Sequence, residues 1–531
     1  MLTYFVIIPI LIATFLYLFS SAKIGKVLAI IVQSLLVMFA FYLFYLTRSG
    51  DVTTNIGNFR DVLGITLRAD NLSAVFILLT AFIFLIAAVF SYRERLSRLF
   101  WLLLFIWEAS LIGIFLTRDM FNVFVLLEVA NVVVCIMIMY LRRSRSMYDG
   151  LIYLMSNLVA VQFYLFGIGY IYRMTGVFDM DSAAQVITRF PASQFFLPYA
   201  LIMTGIAFKC ALLPLYSWLP KAHGTPGAPS AVSAILSGLH IKTGLYLFIR
   251  FQSVFGEISV SEFYLAVGII TGIGGVVLAL AQKDIKLILA YSTIAQIGLI
   301  MIGLGLDGTY SYVGSLYHII NHAVFKAALF LSAGIIAHAY HTRDTTKICA
   351  VFRRMPVVGV AIILAILGIS GAPLFNGSIS KYFIMSEVSP LLFWIINLIN
   401  LGTITVCIKF SMMLFGPLKH KNDCIKVYRS QEAAVFTLGT ACFILGVFGV
   451  PIVRYLFGVH VSVDVFGYLE KVLVFVVSLG LGYFIYQRHI KEGNRFLERV
   501  RTIDIGFRGM CIFLGAFFGA TLLAVSFLNN L

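Results

Sequence analysis

The chain has 531 residues, of which 61% are hydrophobic and 12% are charged, and its formal net charge is +16. This composition excludes a soluble globular domain, because such domains carry about 25% charged residues. A nucleic-acid partner is not expected, since the basic residues lie in short loops between apolar runs. Those runs are about 20 residues long, which is the length that a helix needs to cross a bilayer. We therefore predict an all-α polytopic membrane protein.

The hydropathy pattern predicts sixteen spans, and the loops between them are too short to form a soluble domain. The N-terminal run resembles a secretory signal peptide, but no basic residue precedes it, and we interpret it as the first span. Near the C-terminus, the polar and basic segment 487–506 is either an amphipathic helix on the inner surface or a solvated linker. The spans are expected at residues 3–20, 27–46, 71–91, 99–116, 120–141, 151–172, 196–218, 228–251, 261–281, 287–305, 311–337, 357–386, 391–415, 433–453, 465–486 and 507–529.

The basic residues are distributed unevenly between the two sides of these spans. Loops on one side contain 25 Lys and Arg residues, loops on the other side contain eight, and six lie within or at the edges of spans. Cytoplasmic loops carry an excess of Lys and Arg, so the first side is predicted to be cytoplasmic. Both termini are then expected outside a cell's inner (cytoplasmic) membrane.

The cysteine pattern bears on redox chemistry. The seven cysteines are scattered and form no C-x-x-C pair. This spacing does not predict an iron–sulfur cluster, a zinc site or a disulfide framework. We expect no cofactor and no bound metal, so any redox chemistry would belong to a partner protein.

The stretch 202–250 contains two lysines inside apolar runs. Lys209 lies in the first run, Lys242 lies in the second, and Pro214 follows Lys209 by five residues. A proline removes a backbone hydrogen bond and breaks or kinks a helix. A lysine inside a bilayer is costly enough to suggest a functional role. The stretch therefore predicts part of an ion path at a broken helix.

A weak internal repeat predicts a second broken helix. Lys381 lies in a run that contains Gly371, Pro373 and Gly377, and Lys409 lies in the next run. The corresponding lysines are separated by similar intervals, from position 209 to 381 and from position 242 to 409. The proline follows the lysine in the first run and precedes it in the second, as expected for two related halves in opposite orientation. Chance similarity between apolar segments is the alternative.

Two glutamates are expected within spans. Glu128 lies in the middle of its span, where burial would drive an unpaired carboxylate to take up a proton. Lys209 is the natural counter-charge that would keep it ionised. Glu108 lies in the preceding span, nearer the outer end. A structural, hydrogen-bonded glutamate is the alternative for both.

A stripe of basic residues occupies a later span. His318, His322 and Lys326 are spaced by four residues, so they lie along one side of a helix. Histidine titrates near neutrality, which suits a proton relay. A zinc site would need a third ligand, which is not evident, and satisfied core histidines are the remaining alternative. His240 and Lys242 differ by two positions and point to different helix faces, so they are not assigned to one path.

Several motifs together resemble the antiporter-like family, which covers large membrane subunits of respiratory complex I, Mrp-type sodium/proton antiporters and membrane-bound hydrogenases. The similarity extends over residues 57–415 and departs from many relatives at Tyr216, where they have histidine, and in the longer turn HGTPGAP. The motifs that carry it are RDMFNVFVLLEV, FKCALLPLYSWLPKAH, LSGLHIKTGLYLFIR, HIINHAVFKAALFLSAG and GSISKYF.

The resemblance implies a core of fourteen helices with two inverted five-helix repeats, broken helices, and about two extra C-terminal helices. The implied divisions are residues 1–98, 99–251, 261–415 and 416–531. The resemblance also implies a mid-membrane proton path, two helix breaks and three further candidates. The path residues are Glu128, Lys209, Lys242, His318, His322, Lys326 and Lys381, the breaks involve Pro214, Gly371 and Pro373, and the further candidates are Glu108, His240 and Lys409.

From this resemblance we expect a proton- or sodium-translocating subunit of a larger membrane complex. Its expected partners are other membrane subunits, the lipid bilayer, and H+ or Na+. Mrp-type, hydrogenase-type and complex I-like assemblies all remain open, and so does membership of a redox-driven enzyme. A stand-alone secondary transporter of a small solute is the alternative.

Overall fold

A computed structural model describes residues 1–19, 22–56, 64–256, 258, 260–417 and 427–529. Two predicted features fall partly outside these ranges. They are residues 57–63, at the start of the family-like stretch, and residues 418–426, in a basic loop that is expected to be cytoplasmic.

The described chain is predominantly helical. Its first part contains α1 (Tyr4–Phe19), α2 (Ala22–Thr47), α3 (Asn71–Ser91), α4 (Arg98–Leu116), α5 (Met120–Ile138), α6 (Ser144–Thr175), α7 (Met180–Ile187), α8 (Phe196–Lys209), α9 (Trp218–Gly224), α10 (Ser230–Ile235) and α11 (Ile241–Val254). Its second part contains α12 (Ser261–Ala281), α13 (Ile285–Leu304), α14 (Thr309–Tyr340), α15 (Val351–Arg354), α16 (Pro356–Ser370), α17 (Asn376–Met385), α18 (Pro390–Ser411), α19 (Arg429–Val447), α20 (Gly449–Phe457), α21 (Val465–Ile485), α22 (Arg495–Arg501) and α23 (Phe507–Leu528).

In the described ranges, thirteen helical segments are long and apolar enough to cross a membrane. The shorter apolar helix α1 corresponds to the first predicted span. The other two predicted spans are interrupted helices, α8 with α9 and α16 with α17. The expected multi-pass, all-α membrane fold is therefore confirmed. The polar segment near the C-terminus contains a π-helical turn at Tyr486–Ile490 and the short helix α22.

Aspartates fix the starts of several helices. Asp70, Asp119 and Asp284 precede α3, α5 and α13, and each accepts a hydrogen bond from a backbone N–H of the first turn. A carboxylate at this position satisfies an otherwise unpaired donor and interacts favourably with the helix dipole. These three aspartates therefore define the residues at which α3, α5 and α13 begin.

A small hairpin precedes α3, in a stretch where the sequence analysis expected only a loop. Strands β1 (Val52–Asn55) and β2 (Thr66–Ala69) are antiparallel. At the end of β2, Asp70 forms ion pairs with Arg118 at 2.7 Å and with Arg250 at 2.6 Å. Asp70 thereby links the start of α3 to α11 and to the short connection between α4 and α5, where Arg118 lies.

The chain forms two compact units. Unit 1 comprises residues 1–228, 239–263 and 505–531, and unit 2 comprises residues 229–238 and 264–504. Within unit 1, α8 packs against α6, α11 and α23. Within unit 2, α14 packs against α10, α13, α16, α17 and α19. The four-part division and the inverted repeats expected from the sequence remain predictions.

Candidate functional site

Lys209 is the last residue of α8 and is buried, with 2% of its surface exposed. Its ammonium donates to Oδ1 of Asn131 on α5 and to Oδ1 of Asn157 on α6, the second at 2.8 Å. Both asparagines are fully buried. Burying a charge without partners is very costly, so these two amides make a protonated Lys209 possible inside the helical packing of unit 1.

Glu128 lies on α5, half-buried, one turn before Asn131. Among the residues described, no ion pair joins it to a basic side chain, and its Oε1 atom has no hydrogen-bond partner. Its charge and that of Lys209 nevertheless interact electrostatically. The direct ion pair expected from the sequence is therefore absent, because Asn131 and Asn157 occupy the contacts of the Lys209 ammonium.

The helix break that follows Lys209 contains Pro214, whose peptide bond with Leu213 is cis. Trp218 begins the next helical segment, and its indole N–H donates to the carbonyl oxygen of Phe208 at 2.8 Å. The same oxygen also accepts the backbone N–H of Ala211 at 2.9 Å, so it is shared by two donors from the break. Across the break, a Cβ atom on Gly244 of α11 would lie 2.8 Å from the Cys210 backbone nitrogen. The break is therefore held by close packing of α11 against the end of α8.

His240 ends a π-helical turn before α11 and is buried. Its Nδ1 atom accepts from the indole N–H of Trp107 at 3.3 Å, and its Nε2 atom contacts the Tyr153 hydroxyl at 3.0 Å. An indole N–H can only donate, so Nδ1 carries no proton and the imidazole is neutral. Lys242 follows two residues later and is fully buried.

Glu108 has a different environment from Glu128. It is fully buried on α4 and accepts a hydrogen bond from the amide of Gln33 on α2. No ion pair to Glu108 occurs within the described ranges. These contacts are those of a buried, hydrogen-bonded glutamate, which was the alternative to a place in the ion path.

Unit 2 contains a second buried polar cluster, centred on His318 of α14. Its Nε2 atom bonds to Oε1 of Gln296 at 3.0 Å, and its Nδ1 atom bonds to the Ser380 hydroxyl at 2.8 Å. Gln296 donates its own amide N–H to Thr403 at 3.2 Å, which orients Oε1 towards the imidazole. Nε2 therefore carries the proton. Ser380 also lies within hydrogen-bond distance of the carbonyl oxygens of Asn376 and Gly377, so its hydroxyl can serve Nδ1 as donor or acceptor, and His318 can be neutral or charged.

The other two members of the α14 stripe are also buried. The Lys326 ammonium donates to the Leu289 carbonyl oxygen at 2.9 Å and to the Ser292 hydroxyl, both on α13. The His322 ring lies edge-on to Phe325, with ring centres 5.4 Å apart. A cavity of about 10 Å³, lined by Leu289, Ser292 and Cys407 among others, adjoins these partners of Lys326. It is large enough for about one water molecule.

Lys381 lies on α17, after the second helix break. Helix α16 ends at Ser370, and Gly371 follows with φ of 81°. The Lys381 ammonium donates to the carbonyl oxygen of Ile369 at 2.9 Å and lies 3.5 Å from that of Ser370. Carbonyls at the end of a helix lack partners within it and carry its negative dipole end. The break therefore provides the binding partners of this buried cation, and Pro373 lies within it.

Lys409 lies near the end of α18, and like Lys381 it binds backbone carbonyls at the end of another helix, here α12. It donates to the Leu280 carbonyl oxygen at 2.6 Å and to that of Gln282. These backbone partners lie at the end of a span, away from the carbonyls that bind Lys381. Among the described residues, the structure therefore gives Lys409 hydrogen bonds to a helix terminus and none to the other candidate residues.

The two units share a local arrangement that is repeated at a constant interval along the chain. An isolated antiparallel bridge joins Asp119 to Asp179 in unit 1, and another joins Asp284 to Asp344 in unit 2. Both members are displaced by the same interval, from position 119 to 284 and from position 179 to 344. In each unit, a helix of 19 or 20 residues begins after the first aspartate, and a helix of 32 residues follows it.

This interval relates the two polar clusters residue by residue. The asparagines that bind Lys209 correspond to Gln296 and His322, and Tyr153 corresponds to His318. Glu128 corresponds to Thr293, whose hydroxyl bonds to the Ser237 hydroxyl at 2.8 Å. Unit 2 therefore has no carboxylate at the position equivalent to Glu128, and its buried cations depend on carbonyl and hydroxyl oxygens.

Sequence reasoning missed the uncharged members of both clusters. These residues are Asn131, Asn157, Gln296, Ser380 and Thr403. A polar side chain in an apolar span is a usable signal, because an unsatisfied polar group is costly in the membrane. The signal is weak for Ser and Thr, since their hydroxyls commonly bond to a carbonyl of the preceding turn, as Ser156 does.

The fold and these clusters define a multi-pass helical membrane protein with buried cations beside two interrupted helices. Residues 117–408 match the family described as NADH:quinone oxidoreductase/Mrp antiporter, TM, and the chain belongs to that family. The family expected from the sequence motifs is thereby confirmed.

Two relatives and one solved structure illustrate the similarity. The chain is 28% identical over 387 residues to an Na+/H+ antiporter subunit of Alkalihalophilus pseudofirmus, covering 71% of this chain and 78% of that protein. It is 31% identical over 348 residues to hydrogenase-4 component B of Escherichia coli, covering 60% of this chain and 50% of that protein. A chain in the structure of the Mrp complex from Dietzia sp. DQ12-45-1b shares the fold, with a TM-score of 0.79 and 21% identity over 90% of this chain and 99% of that chain.

Proposed function

We propose that this chain is an ion-translocating subunit of a multisubunit membrane complex, and that it moves protons or sodium ions. The observation that carries the proposal is the buried Lys209, held by two neutral amides, one of which, Asn131, lies one helical turn from the half-buried carboxylate of Glu128. The relatives named above include a sodium/proton antiporter subunit and a hydrogenase component. Both kinds of assembly remain candidates, and so does a complex I-like one.

The proposed switch is the charge of Glu128. With the carboxylate ionised, Lys209 keeps its proton, because the two charges attract. When the carboxylate is neutralised, only Asn131 and Asn157 stabilise the ammonium, and the proton can leave. Asn131 is placed to couple the two groups, because its Oδ1 binds Lys209 and because it lies one turn from Glu128 on the same helix.

The energies involved are of a suitable size. A hydrogen bond to a charged group contributes about 1.5–3 kcal/mol. Moving one charge against a membrane potential requires about 2.3 kcal/mol per 100 mV. The free energy of one hydrogen bond to the Lys209 ammonium is therefore comparable to the work of moving one ion across the membrane.

The polar cluster of unit 2 is proposed as a second section of the path. His318 can change its charge state through Ser380, while Lys326 and Lys381 are held by backbone and hydroxyl oxygens. The cavity near Lys326 has a volume of about 10 Å³, which is too small for an organic solute.

The proposed location is the inner (cytoplasmic) membrane, with both termini outside. This orientation is supported by the threefold excess of basic residues in loops on one side of the spans. Other membrane subunits are the proposed partners, and the residues of the proton path named from the sequence retain that role as a proposal.

The test compares Glu128→Gln with Glu108→Gln in inside-out vesicles that contain the assembled complex. Proton and sodium movements are recorded with a pH-sensitive dye and with 22Na+. We expect Glu128→Gln to lose most translocation at near-normal expression, because the switchable charge is gone. Glu108→Gln should transport normally, because Glu108 bonds to Gln33 and forms no ion pair in the part of the chain that the structure describes. Normal transport by Glu128→Gln would refute its proposed role.

A further inference from the structure

A polar cavity lies in unit 2 where three membrane-spanning segments end. Its walls come from the last residues of α12, the end of α18, and the segment from Tyr486 to Arg501. Its volume is about 210 Å³, many times the ~10–15 Å³ that one water requires. The mechanism proposed above does not use this cavity.

The cavity has an excess of positive charge. Its ionisable lining comprises four cations and two carboxylates, which are Lys283, Lys409, Lys491, Arg501, Glu492 and Glu498. In the part of the chain that the structure describes, none of the four cations forms an ion pair with a carboxylate. Cations gathered around one space repel each other, so an anion in that space would be stabilised by all of them.

Lys409 anchors one wall of the cavity. It uses two donors on the Leu280 and Gln282 carbonyl oxygens at the end of α12. An ammonium has three donors, so one N–H remains for a ligand. Lys283 and Arg501 line the same cavity as Lys409, so the three positive charges repel one another.

We infer that this cavity binds the phosphate of an anionic phospholipid headgroup. Lysine and arginine are the usual side chains for binding phosphate. The cavity lies at the ends of spans, which is the depth of the headgroups. The basic loops on this side are predicted to be cytoplasmic, and basic pockets between helices on that side bind anionic headgroups.

The adjoining surface of α21 can accommodate the acyl chains. Leu481 and Phe484 lie three residues apart, on one side of the last turns of this helix, just before Tyr486 in the cavity wall, and these residues are 49% and 62% exposed. Free inorganic phosphate would bind only in the cavity, whereas a phospholipid would place its headgroup in the cavity and its acyl chains on the apolar surface of α21. The bound lipid would connect the ends of α12 and α18 to the segment that follows α21, independently of ion translocation.

The test uses the full chain in its isolated complex, reconstituted into phosphatidylcholine nanodiscs with increasing phosphatidylglycerol. Native mass spectrometry measures the retained phosphatidylglycerol in the wild type and in the Lys283→Gln/Arg501→Gln variant. The matched control is Lys347→Gln/Arg353→Gln, which removes two exposed basic residues that do not line the cavity. We expect the cavity variant to bind phosphatidylglycerol at least tenfold more weakly, the control to change less than twofold, and Lys283→Arg/Arg501→Lys to restore binding.

Three results would overturn the inference. They are equal retention by the wild type and the cavity variant, displacement of the lipid by millimolar inorganic phosphate, and lipid retention only after partner subunits are removed. The last two would identify free phosphate or an acidic partner segment as the occupant. If the double variant does not fold, the exposed single variant Lys491→Gln provides the comparison, with a loss of retention expected and an unchanged retention counting against the site.

Discussion

Replacing the two asparagines that bind Lys209 tests the proposed mechanism most directly. Asn131→Leu or Asn157→Leu removes one oxygen that accepts from the ammonium and keeps the branched shape and the number of heavy atoms of the side chain. A hydrogen bond to a charged group contributes about 1.5–3 kcal/mol. At about 1.4 kcal/mol per factor of ten, each substitution should reduce occupancy of the protonated Lys209 by about 10- to 150-fold.

The assay is the initial rate of proton translocation in vesicles as a function of the proton concentration on the uptake side. If loading of Lys209 limits the rate, each variant should lose about tenfold or more at neutral pH. Raising the proton concentration should restore transport, because mass action refills a weakened site. Glu128→Gln should not be restored in this way, since it lacks the switch itself.

Asn397→Leu is the matched control. Asn397 also lies within a membrane-spanning helix, but among the described residues its amide donates only to the Phe393 carbonyl of its own helix, at 3.0 Å. Its replacement should leave the rate within about twofold of the wild type. Wild-type rates in both Asn131→Leu and Asn157→Leu, at all proton concentrations, would refute the assignment of Lys209 as a loading site.

Three further predictions concern other parts of the molecule. Lys381→Glu should keep partial transport, because a protonated carboxyl can still donate to the carbonyls at the end of α16. Lys209→Glu should be inactive, because it adds a second carboxylate near Glu128. Equal transport rates of the two variants in vesicles would contradict this prediction. Although burial opposes the shift, hydrogen bonds and charges from two arginines hold the pKa of Asp70 well below its usual value. Its stabilising effect is therefore complete above about pH 4 and declines as the pH falls further. Asp70→Asn should lower the free energy of unfolding by about 3 kcal/mol at pH 7 and by progressively less in acid. Denaturant titration in detergent at several pH values measures this difference. Finally, in a cysteine-free background, a membrane-impermeant thiol reagent added outside should label a cysteine at position Asn55 and not one at Asp344, and the reverse pattern would overturn the topology.

The strongest sequence signals came from charges inside apolar runs. A lysine or glutamate at mid-span is conspicuous because lipid cannot solvate it. Lys209, Lys326 and Lys381 are indeed buried, and two of the predicted spans are interrupted near lysines, as the proline and glycine pattern indicated. These features follow from local chemistry, and one sequence is enough to locate them.

The partners of those charges could not be predicted in the same way. Asn131 and Asn157 lie 78 and 52 residues from Lys209 in the chain, so their contact depends on how three helices pack. Asn397 has the same side chain in a similar apolar setting, and within the described ranges it bonds only to its own helix. The pairing of Glu128 with Lys209 was too simple for this reason, because an amide near a lysine competes for the same donors.

The repeat was also only partly visible. The similar but unequal spacings of the paired lysines point to two related halves, whereas the constant interval emerges from two backbone bridges between aspartates. Apolar residues substitute freely for one another in spans, so the surrounding sequence retains little trace of the register. Only the bridge geometry shows that Thr293 occupies the position equivalent to Glu128.

The backbone partners of Lys381 have a consequence for mutational scanning. Every residue has a carbonyl oxygen, so substitutions at Ile369 and Ser370 leave the acceptors of the Lys381 ammonium in place. A scan of single substitutions would therefore not reveal the acceptor role of these two positions, although their carbonyls bind a central cation. The sensitive position is Gly371, because its φ of 81° disfavours any side chain and a Cβ atom there would lie 3.2 Å from Cδ of Lys381. In such data, the acceptor site would be revealed by intolerance at the glycine that ends the helix.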